Sequence, residues 1–213
     1  MRIDDLLTLA QWLAPTFPTG AFAWSHGLEA AVAGGEVRDA AGLADWLAAV
    51  IDLGAGRADC ILLGAAWRAE ADEVAALAEL ADALAPSRER RLETLQQGAA
   101  FAAAVRAVWG FDLPDIALPV AVGRAARLAG LPAGPVAALW LQGFAGNLVQ
   151  AALRLMPLGQ TAGQRVLHGL QPLIARVATE ALAATPDDIG TGTLAVDIAA
   201  MRHEAQYSRI FRS

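Results

Sequence analysis

Residues 128–153, LAGLPAGPVAALWLQGFAGNLVQAAL, are the longest stretch of the chain without a charged side chain. From Gly134 onward, the apolar residues of this stretch lie on all sides of a helix. A helix that is apolar all round either lies at the centre of a large domain or spans a membrane. The stretch is long enough to cross a bilayer, but it contains two prolines, four glycines and three side-chain amides, and no basic cluster flanks one side. We therefore expect the central helix of a soluble protein, with a membrane span as the less favoured alternative.

Helical periodicity continues on both sides of this central helix. Asp39 is placed to cap one helix, and residues 57–84 have the spacing of one or two more. A further helix is predicted from 87 to about 109, and a last pair over roughly 161–184. β-Branched and aromatic residues never alternate over the length of a strand, and no repeat or long linker is present. The sequence therefore predicts an all-α fold, a compact helical bundle in a single domain that comprises all 213 residues.

The composition narrows the classes of function. Asp and Glu number 22 against 16 basic residues, which gives a net charge of −6, and every basic residue is arginine. The absence of lysine excludes a Walker A phosphate loop and lysine Schiff-base chemistry, including that of pyridoxal phosphate. The acidic balance argues against non-specific nucleic-acid binding, which requires neutralisation of phosphates. A single cysteine, Cys60, excludes an internal disulfide framework and is typical of a cytoplasmic protein.

Residues 13–29, LAPTFPTGAFAWSHGLE, interrupt the helical pattern with two prolines and a glycine, and predict a non-helical loop. Its aromatic side chains are expected to anchor it: Phe17, Phe22 and Trp24. One interpretation is only structural, a pinned loop between two helices. The functional interpretation is that His26 and Glu29 face a partner or ligand. The Ser25-His26 pair also raises a nucleophile hypothesis, which we disfavour because adjacent side chains seldom aim at one point and no nucleophile elbow is present.

Residues 87–93, SRERRLE, form the densest cluster of charge. One interpretation is a solvated helix start with ion pairs between residues three and four apart. The other is a contact surface for an acidic partner or for the phosphates of a nucleotide, since arginine suits bidentate contacts to both.

Metal binding is not predicted. His26, His168, His203 and Cys60 are isolated from one another, and the chain has no H-x3-H or C-x2-C pair. Isolated histidines are more often structural or surface residues than ligands. We therefore expect no metal site and no bound cofactor.

Residues 147–164, NLVQAALRLMPLGQTAGQ, contain the end of the central helix, which a proline and a glycine stop. Thr161 and Gln164 have the spacing of a capping box that begins the next helix. Capping does not explain three polar residues at helical spacing before it, namely Asn147, Gln150 and Arg154. Polar groups at the end of a buried helix need partners inside the fold or across an interface.

The tail, residues 201–213, has the sequence MRHEAQYSRIFRS. It contains the only tyrosine, two neighbouring apolar side chains and an excess of arginine in an otherwise acidic protein. Aromatic residues and arginine contribute most of the binding energy at protein interfaces. Two arrangements are open: the tail becomes ordered on a partner, or it folds back on its own domain.

Taken together, these segments resemble the urease accessory protein UreF family. The loop matches P-x-G-x-F-x-x-S-x-G-L-E over residues 18–29, and the central segment matches R-L-x-P-L-G-Q-x-x-G-Q over residues 154–164. The tail matches H-E-x-x-Y-S-R-x-F-R-S over residues 203–213. Departures are small: Ala23-Trp24 stands where Ser-Tyr is common, and Ile210 stands where leucine is usual. The resemblance covers essentially the whole chain in the expected order.

The resemblance implies an all-α, dimeric, non-enzymatic component of urease maturation. Its expected partners are the scaffold UreD (also called UreH), the nickel-carrying GTPase UreG and apo-urease, on which the complex docks and helps to place nickel. The tail is expected to dock on UreD. Partner contact is expected at these residues: His203, Glu204, Tyr207, Arg209, Phe211, Arg212, Glu29, Arg154, Gln160 and Gln164.

Two alternatives to a pure scaffold remain open. The protein could regulate GTP hydrolysis by UreG, for example by lending an arginine to the transition state, an effect worth roughly 10³–10⁵ in rate. The candidates for such an arginine finger are Arg88, Arg90, Arg91 and Arg154. The other alternative is a nickel route through the dimer, lined by oxygen atoms and isolated histidines.

Overall fold

The computed structural model describes residues 1–190 and 192–213, and within them it contains α-helices, two short 3₁₀ turns and no β-strand. The all-α prediction is therefore confirmed. The helices are α1 (Ile3–Trp12), α2 (Leu28–Ala33), α3 (Ala40–Leu53), α4 (Ala55–Arg68), α5 (Val74–Ala83), α6 (Arg88–Trp109), α7 (Leu118–Leu128), α8 (Ala133–Leu155), α9 (Gln160–Gly169), α10 (Gln171–Ala183) and α11 (Leu194–His203). The 3₁₀ turns cover Ala21–Ala23 and Pro186–Asp188.

The predicted central helix is α8, which packs against α2, α3, α4, α9 and α10. By length and composition it could cross a membrane, and half of its most apolar 18-residue window is buried in the fold. It carries core residues such as Trp140, Leu141 and Val149. It is therefore a core helix, although it is less completely enclosed than its sequence predicts, because Leu139 and Phe144 remain partly accessible.

Small residues let the helices approach one another closely. Gly123 of α7 lies against α4, where a β-carbon would come within 2.2 Å of the Leu63 carbonyl oxygen. Gly98 of α6 lies against the start of α7 in the same way. At these two positions glycine thus permits helix contacts in which the backbones nearly touch.

The helix caps agree with the sequence at one place and differ at another. Asp39 caps α3, where its carboxylate accepts a hydrogen bond from the Gly42 amide at 2.9 Å, as predicted. The capping box of Thr161 and Gln164 is wrong, because α9 begins at Gln160 and its N-cap is Gly159, two residues before Thr161, with no side-chain cap. The Thr161 side chain is exposed on the first turn of α9 instead.

The loop predicted between the first two helices is present and contains only the first 3₁₀ turn. Phe17 and Trp24 are buried, and Phe17 packs against Phe101 with ring centroids 5.4 Å apart. The prediction for Phe22 is wrong, because its side chain is 74% exposed. The short 3₁₀ turn directs this ring away from the core while the aromatic residues on either side of it point inward.

Candidate functional site

The tail folds back onto the loop of residues 13–29. The Arg212 amide donates to the Ala23 carbonyl at 2.9 Å, and the Ser25 amide donates to the backbone oxygen of Ser213 at 3.0 Å. The Ser25 hydroxyl also donates to that oxygen. Phe211 is buried beneath this contact. Of the two arrangements left open by the sequence, the structure thus shows the tail ordered on its own domain.

Glu29, in the first turn of α2, binds the tail directly. Its carboxylate accepts hydrogen bonds from the backbone amides of Ile210 at 2.7 Å and Phe211 at 2.8 Å. The α2 helix can begin here because Gly27, its N-cap, adopts a left-handed conformation with φ of 76°. A β-carbon at Gly27 would lie 2.7 Å from the Ala200 amide of α11, so this glycine also permits α2 and α11 to pack closely.

His203, the last residue of α11, lies between two carboxylates and is completely buried. Its Nδ1 atom is 2.6 Å from Glu89 of α6, and its Nε2 atom is 3.1 Å from Glu29. The second oxygen of Glu89 accepts a hydrogen bond from the Arg209 guanidinium at 2.6 Å. We call these four residues the tail clamp: Glu29, Glu89, His203 and Arg209.

A second, largely buried group, the Glu93 cluster, also lies on α6 and contacts the tail at Ser213. It consists of His26, Asp59, Arg90 and Glu93. Glu93 accepts hydrogen bonds from the Ser213 hydroxyl at 3.1 Å and from His26 Nδ1 at 3.3 Å, and it pairs with Arg90 at 2.5 Å. Arg90 also lies 3.8 Å from Asp59. Both groups therefore place charged side chains inside the protein, along the side of α6 that faces the tail.

The charges of the Glu93 cluster perturb one another. Burial alone would raise the pKa of Glu93, but the charge of Arg90 and the contacts with His26 outweigh it and lower this pKa to about 2. Burial lowers the pKa of His26, and the positive charge of Arg90 acts in the same direction. Burial raises the pKa of Asp59 to about 6, only partly offset by Arg90. Asp59 therefore titrates close to physiological pH.

This shift predicts that Asp59→Asn stabilises the protein above pH 6. A raised carboxyl pKa means that the folded state holds the proton more tightly, so stability is lost as the pH rises from about 4 to about 6. Asparagine does not ionise, so the variant should exceed the wild type by about 1–3 kcal/mol near pH 7.5 and match it below about pH 4. Urea unfolding at both pH values measures the difference.

The exposed Asp115, which pairs with Arg106 at 2.8 Å, provides the matched control. Asp115→Asn should leave the pH dependence of stability unchanged. A gain from Asp59→Asn that is the same at both pH values would contradict the assignment.

The other predicted contact residues are spread over the surface. Tyr207 is fully exposed, and Glu204 accepts a hydrogen bond from the Arg88 amide at 2.8 Å. Arg212 is exposed and lies over the Trp24 ring at 4.7 Å from its centroid. Gln160 and Gln164 are exposed on α9. The tail residues are thus brought together, whereas the two glutamines belong to a separate helix surface.

Arg154 connects the end of α8 to the tail. Its guanidinium lies 4.3 Å from the centroid of the Phe211 ring and donates to the Phe22 carbonyl at 3.2 Å. Arg154 is one of the three polar residues before α9 that capping did not explain. These contacts show that its partners lie inside the fold. They also place Arg154 beside the tail.

Neither interpretation of residues 87–93 describes the cluster fully. Arg88 and Arg91 are exposed and make surface ion pairs, as a solvated helix start would. Glu89, Arg90 and Glu93 are buried in the two groups described above. The sequence did contain a signal for this burial: Glu89, Glu93, Gln97 and Phe101 recur every four residues and share one face of α6, all of it buried.

In the described part of the chain, no three His, Cys, Asp or Glu side chains are grouped so that they could hold a metal ion. Four buried nitrogen atoms beside an internal cavity of about 90 Å³ have no hydrogen-bond partner among the described residues. They belong to Trp12, His26, Arg90 and Trp140.

The comparison with known proteins agrees with the family resemblance drawn from the sequence. The UreF family profile matches residues 37–171. A urease accessory protein UreF of Cereibacter sphaeroides is 58% identical over 208 residues, covering 98% of both chains. The UreF proteins of Roseobacter denitrificans and Ruegeria pomeroyi are 50% and 46% identical, covering 100% and 98% of this chain and 96% and 97% of their own lengths. The alignments with these three relatives are much longer than the profile match and cover nearly the whole chain, which therefore belongs to the UreF family of urease accessory proteins.

Proposed function

We propose that this protein bridges the scaffold UreD (UreH) and the GTPase UreG in the cytoplasm, in a complex that delivers nickel to apo-urease. Its family membership already places it in urease maturation. The bridging role assigns it shape rather than chemistry, so that nickel capture and GTP hydrolysis belong to its partners. The lack of any lysine supports this division, since a phosphate loop needs one.

The observation that carries the proposal is an exposed apolar face formed by α11 and the tail. Leu194, Ile198 and Met201 are exposed and are spaced four and three residues apart, so they share one side of α11. Tyr207 and Ile210 continue the exposed apolar residues into the tail. We call these five residues the docking face. Exposed apolar side chains that cluster in this way mark interaction surfaces, and tyrosine is favoured there.

The tail clamp supports the docking face from beneath. Glu29, His203 and Phe211 are buried, so in this conformation their role is to hold the tail in position. Direct contact with a partner is proposed for the exposed residues Tyr207 and Arg212. UreD is the partner proposed for the docking face, and a homodimer is proposed as the form that binds it.

Regulation of UreG is the alternative proposal. Arg90 is buried and paired with Glu93, so it is poorly placed to act as an arginine finger. The side chains of Arg88 and Arg91 are largely exposed, and Arg154 is exposed at the edge of the tail. The test replaces each of these three arginines in turn and measures GTP turnover by UreG in the complex. A lower rate in one variant, with the other two unchanged, would favour the regulator over the scaffold. A nickel route through the dimer stays a third proposal.

The bridging proposal predicts that Tyr207→Ala/Ile210→Ala weakens capture of UreD without unfolding the protein. Both side chains face solvent, so their removal deletes contact area and no core packing. We expect a loss of UreD affinity of at least about tenfold, in the range of a single hot spot. Co-purification with UreD and UreG, followed by titration, measures it. Truncation after Met201 should also lose UreD, but it removes buried His203 and Phe211 and is therefore less specific.

Val108→Ala is the matched control, because Val108 is an exposed apolar residue of α6 outside the docking face. It should retain both partners. Unchanged capture of UreD by the double variant would place the UreD contact elsewhere and refute the assigned docking face.

A further inference from the structure

We propose that His203 is a buried imidazolium that locks the tail onto α2 and α6, and that loss of its proton opens the tail. This inference concerns the free protein and does not rest on the proposed partners. It makes the position of the tail dependent on pH.

The hydrogen-bond geometry requires two protons on the ring. Nδ1 faces an oxygen of Glu89 at 2.6 Å, and Nε2 faces an oxygen of Glu29 at 3.1 Å. An ionised carboxylate only accepts hydrogen bonds, and a neutral imidazole has a single N–H to donate. Both contacts are satisfied together when both ring nitrogens carry hydrogen, which is the charged form of histidine.

The charge balance of the tail clamp also favours the protonated form of His203. Protonated His203 and the partly exposed Arg209 together balance the buried carboxylates of Glu29 and Glu89, so the tail clamp as a whole is neutral. Other charged groups on the same elements pair elsewhere: Arg88 with Glu204, Arg90 with Glu93, and Arg202 with Glu36, while the charge of Asp197 acts on His26. A neutral His203 would therefore leave one uncompensated negative charge in the interior, which is strongly unfavourable.

The connection to the tail runs through Glu29. The carboxylate that meets His203 Nε2 is the same one that accepts the Ile210 and Phe211 amides. When His203 loses its proton, an unprotonated ring nitrogen faces a carboxylate oxygen, and the two lone pairs repel. Opening of the tail relieves this repulsion by letting water reach Glu29 or Glu89. The closed tail is therefore favoured while both ring nitrogens of His203 carry hydrogen, and it is disfavoured once one of them has lost it.

Protonation of the carboxylates acts at the other end of the pH range. In acid, Glu29 loses acceptor capacity for the two tail amides, and the charge balance with His203 and Arg209 is lost. The closed tail therefore needs both carboxylates ionised and His203 protonated at the same time.

The test uses the full-length wild-type protein, labelled with ¹⁵N, between about pH 6 and pH 9. The ¹⁵N shifts of His203 report the protonation of each ring nitrogen, and hydrogen-exchange protection factors of the Ile210 and Phe211 amides report tail closure. We expect both nitrogens to be protonated near pH 7. Once His203 titrates, the protection factors should fall by up to about tenfold per pH unit, as one linked proton requires.

Two variants distinguish the effect of His203 on the tail from the effects of other groups that bind protons. His203→Gln should lower the protection of both amides and remove its pH dependence above neutrality, whereas His168→Gln, at an exposed histidine of α9, should change neither. A ring nitrogen of His203 without a proton near pH 7, while the tail amides stay protected, would overturn the proposal. So would a titration of His203 that leaves the protection factors unchanged. These readouts need only the wild type and decide the matter even if His203→Gln does not fold.

Discussion

Replacing Glu29 with alanine is expected to destabilise the protein by about 3–5 kcal/mol, the range for removing one partner of a buried ionic network. The variant leaves three donors without an acceptor: the amides of Ile210 and Phe211 and the Nε2 atom of His203. The His203 charge would keep only Glu89 as a partner. Urea unfolding near pH 7 measures the free energy, and hydrogen exchange should show the tail released.

Glu36→Ala provides the control for this change. Glu36 also pairs with an arginine, Arg202, at 2.8 Å, but both side chains are largely exposed. Exposed ion pairs contribute about 0–1 kcal/mol, so the control should remain near the wild type. Similar losses in the two variants, or a tail that stays protected in Glu29→Ala, would show that Glu29 does not hold the tail.

The helices were predictable because each depends on local sequence. The apolar content of 128–153 predicted α8, and a polar side chain beside an apolar stripe predicted the cap at Asp39. The local sequence did not predict where α9 begins, because two neighbouring positions could each start the helix. Thr161 and Gln164 have the spacing of a capping box, but the N-cap of α9 is Gly159, two residues before Thr161.

The tail clamp was predicted only in part, for a physical reason. The residues from α2 and the tail were singled out by the loop pattern, the composition of the tail and the resemblance, which give their identity but not their burial. Glu29 and His203 are 174 residues apart in sequence, and Glu89 and His203 are 114 apart, so their contacts exist only in the folded chain. A charged residue is ordinarily expected at the surface, and the burial of Glu89 depends on the neutralisation that His203 and Arg209 supply.

Gly98→Ala is expected to destabilise the protein by about 3 kcal/mol, at the upper end of overpacking effects, although alanine is the better helix former. A β-carbon at this position of α6 would lie 1.8 Å from the Ile116 carbonyl oxygen and 2.8 Å from the Leu118 amide nitrogen. Both are backbone atoms at the start of α7, so no side-chain rotation can make room. The helices must separate, and the contacts between them are lost. Urea unfolding gives the change in free energy.

Gly146→Ala makes the same substitution inside α8, where the nearest atom would be the Leu167 Cδ2 at 4.0 Å. Without a steric cost, the helix propensity of alanine should stabilise this variant by about 0.5–1 kcal/mol. The same chemical change thus has opposite expected signs at two helical glycines, because only one of them lies against the backbone of a neighbouring helix. A stabilising Gly98→Ala would mean that α6 and α7 do not approach as closely as described, and the buried face of α6 that carries Glu89 and Glu93 would then need to be placed differently.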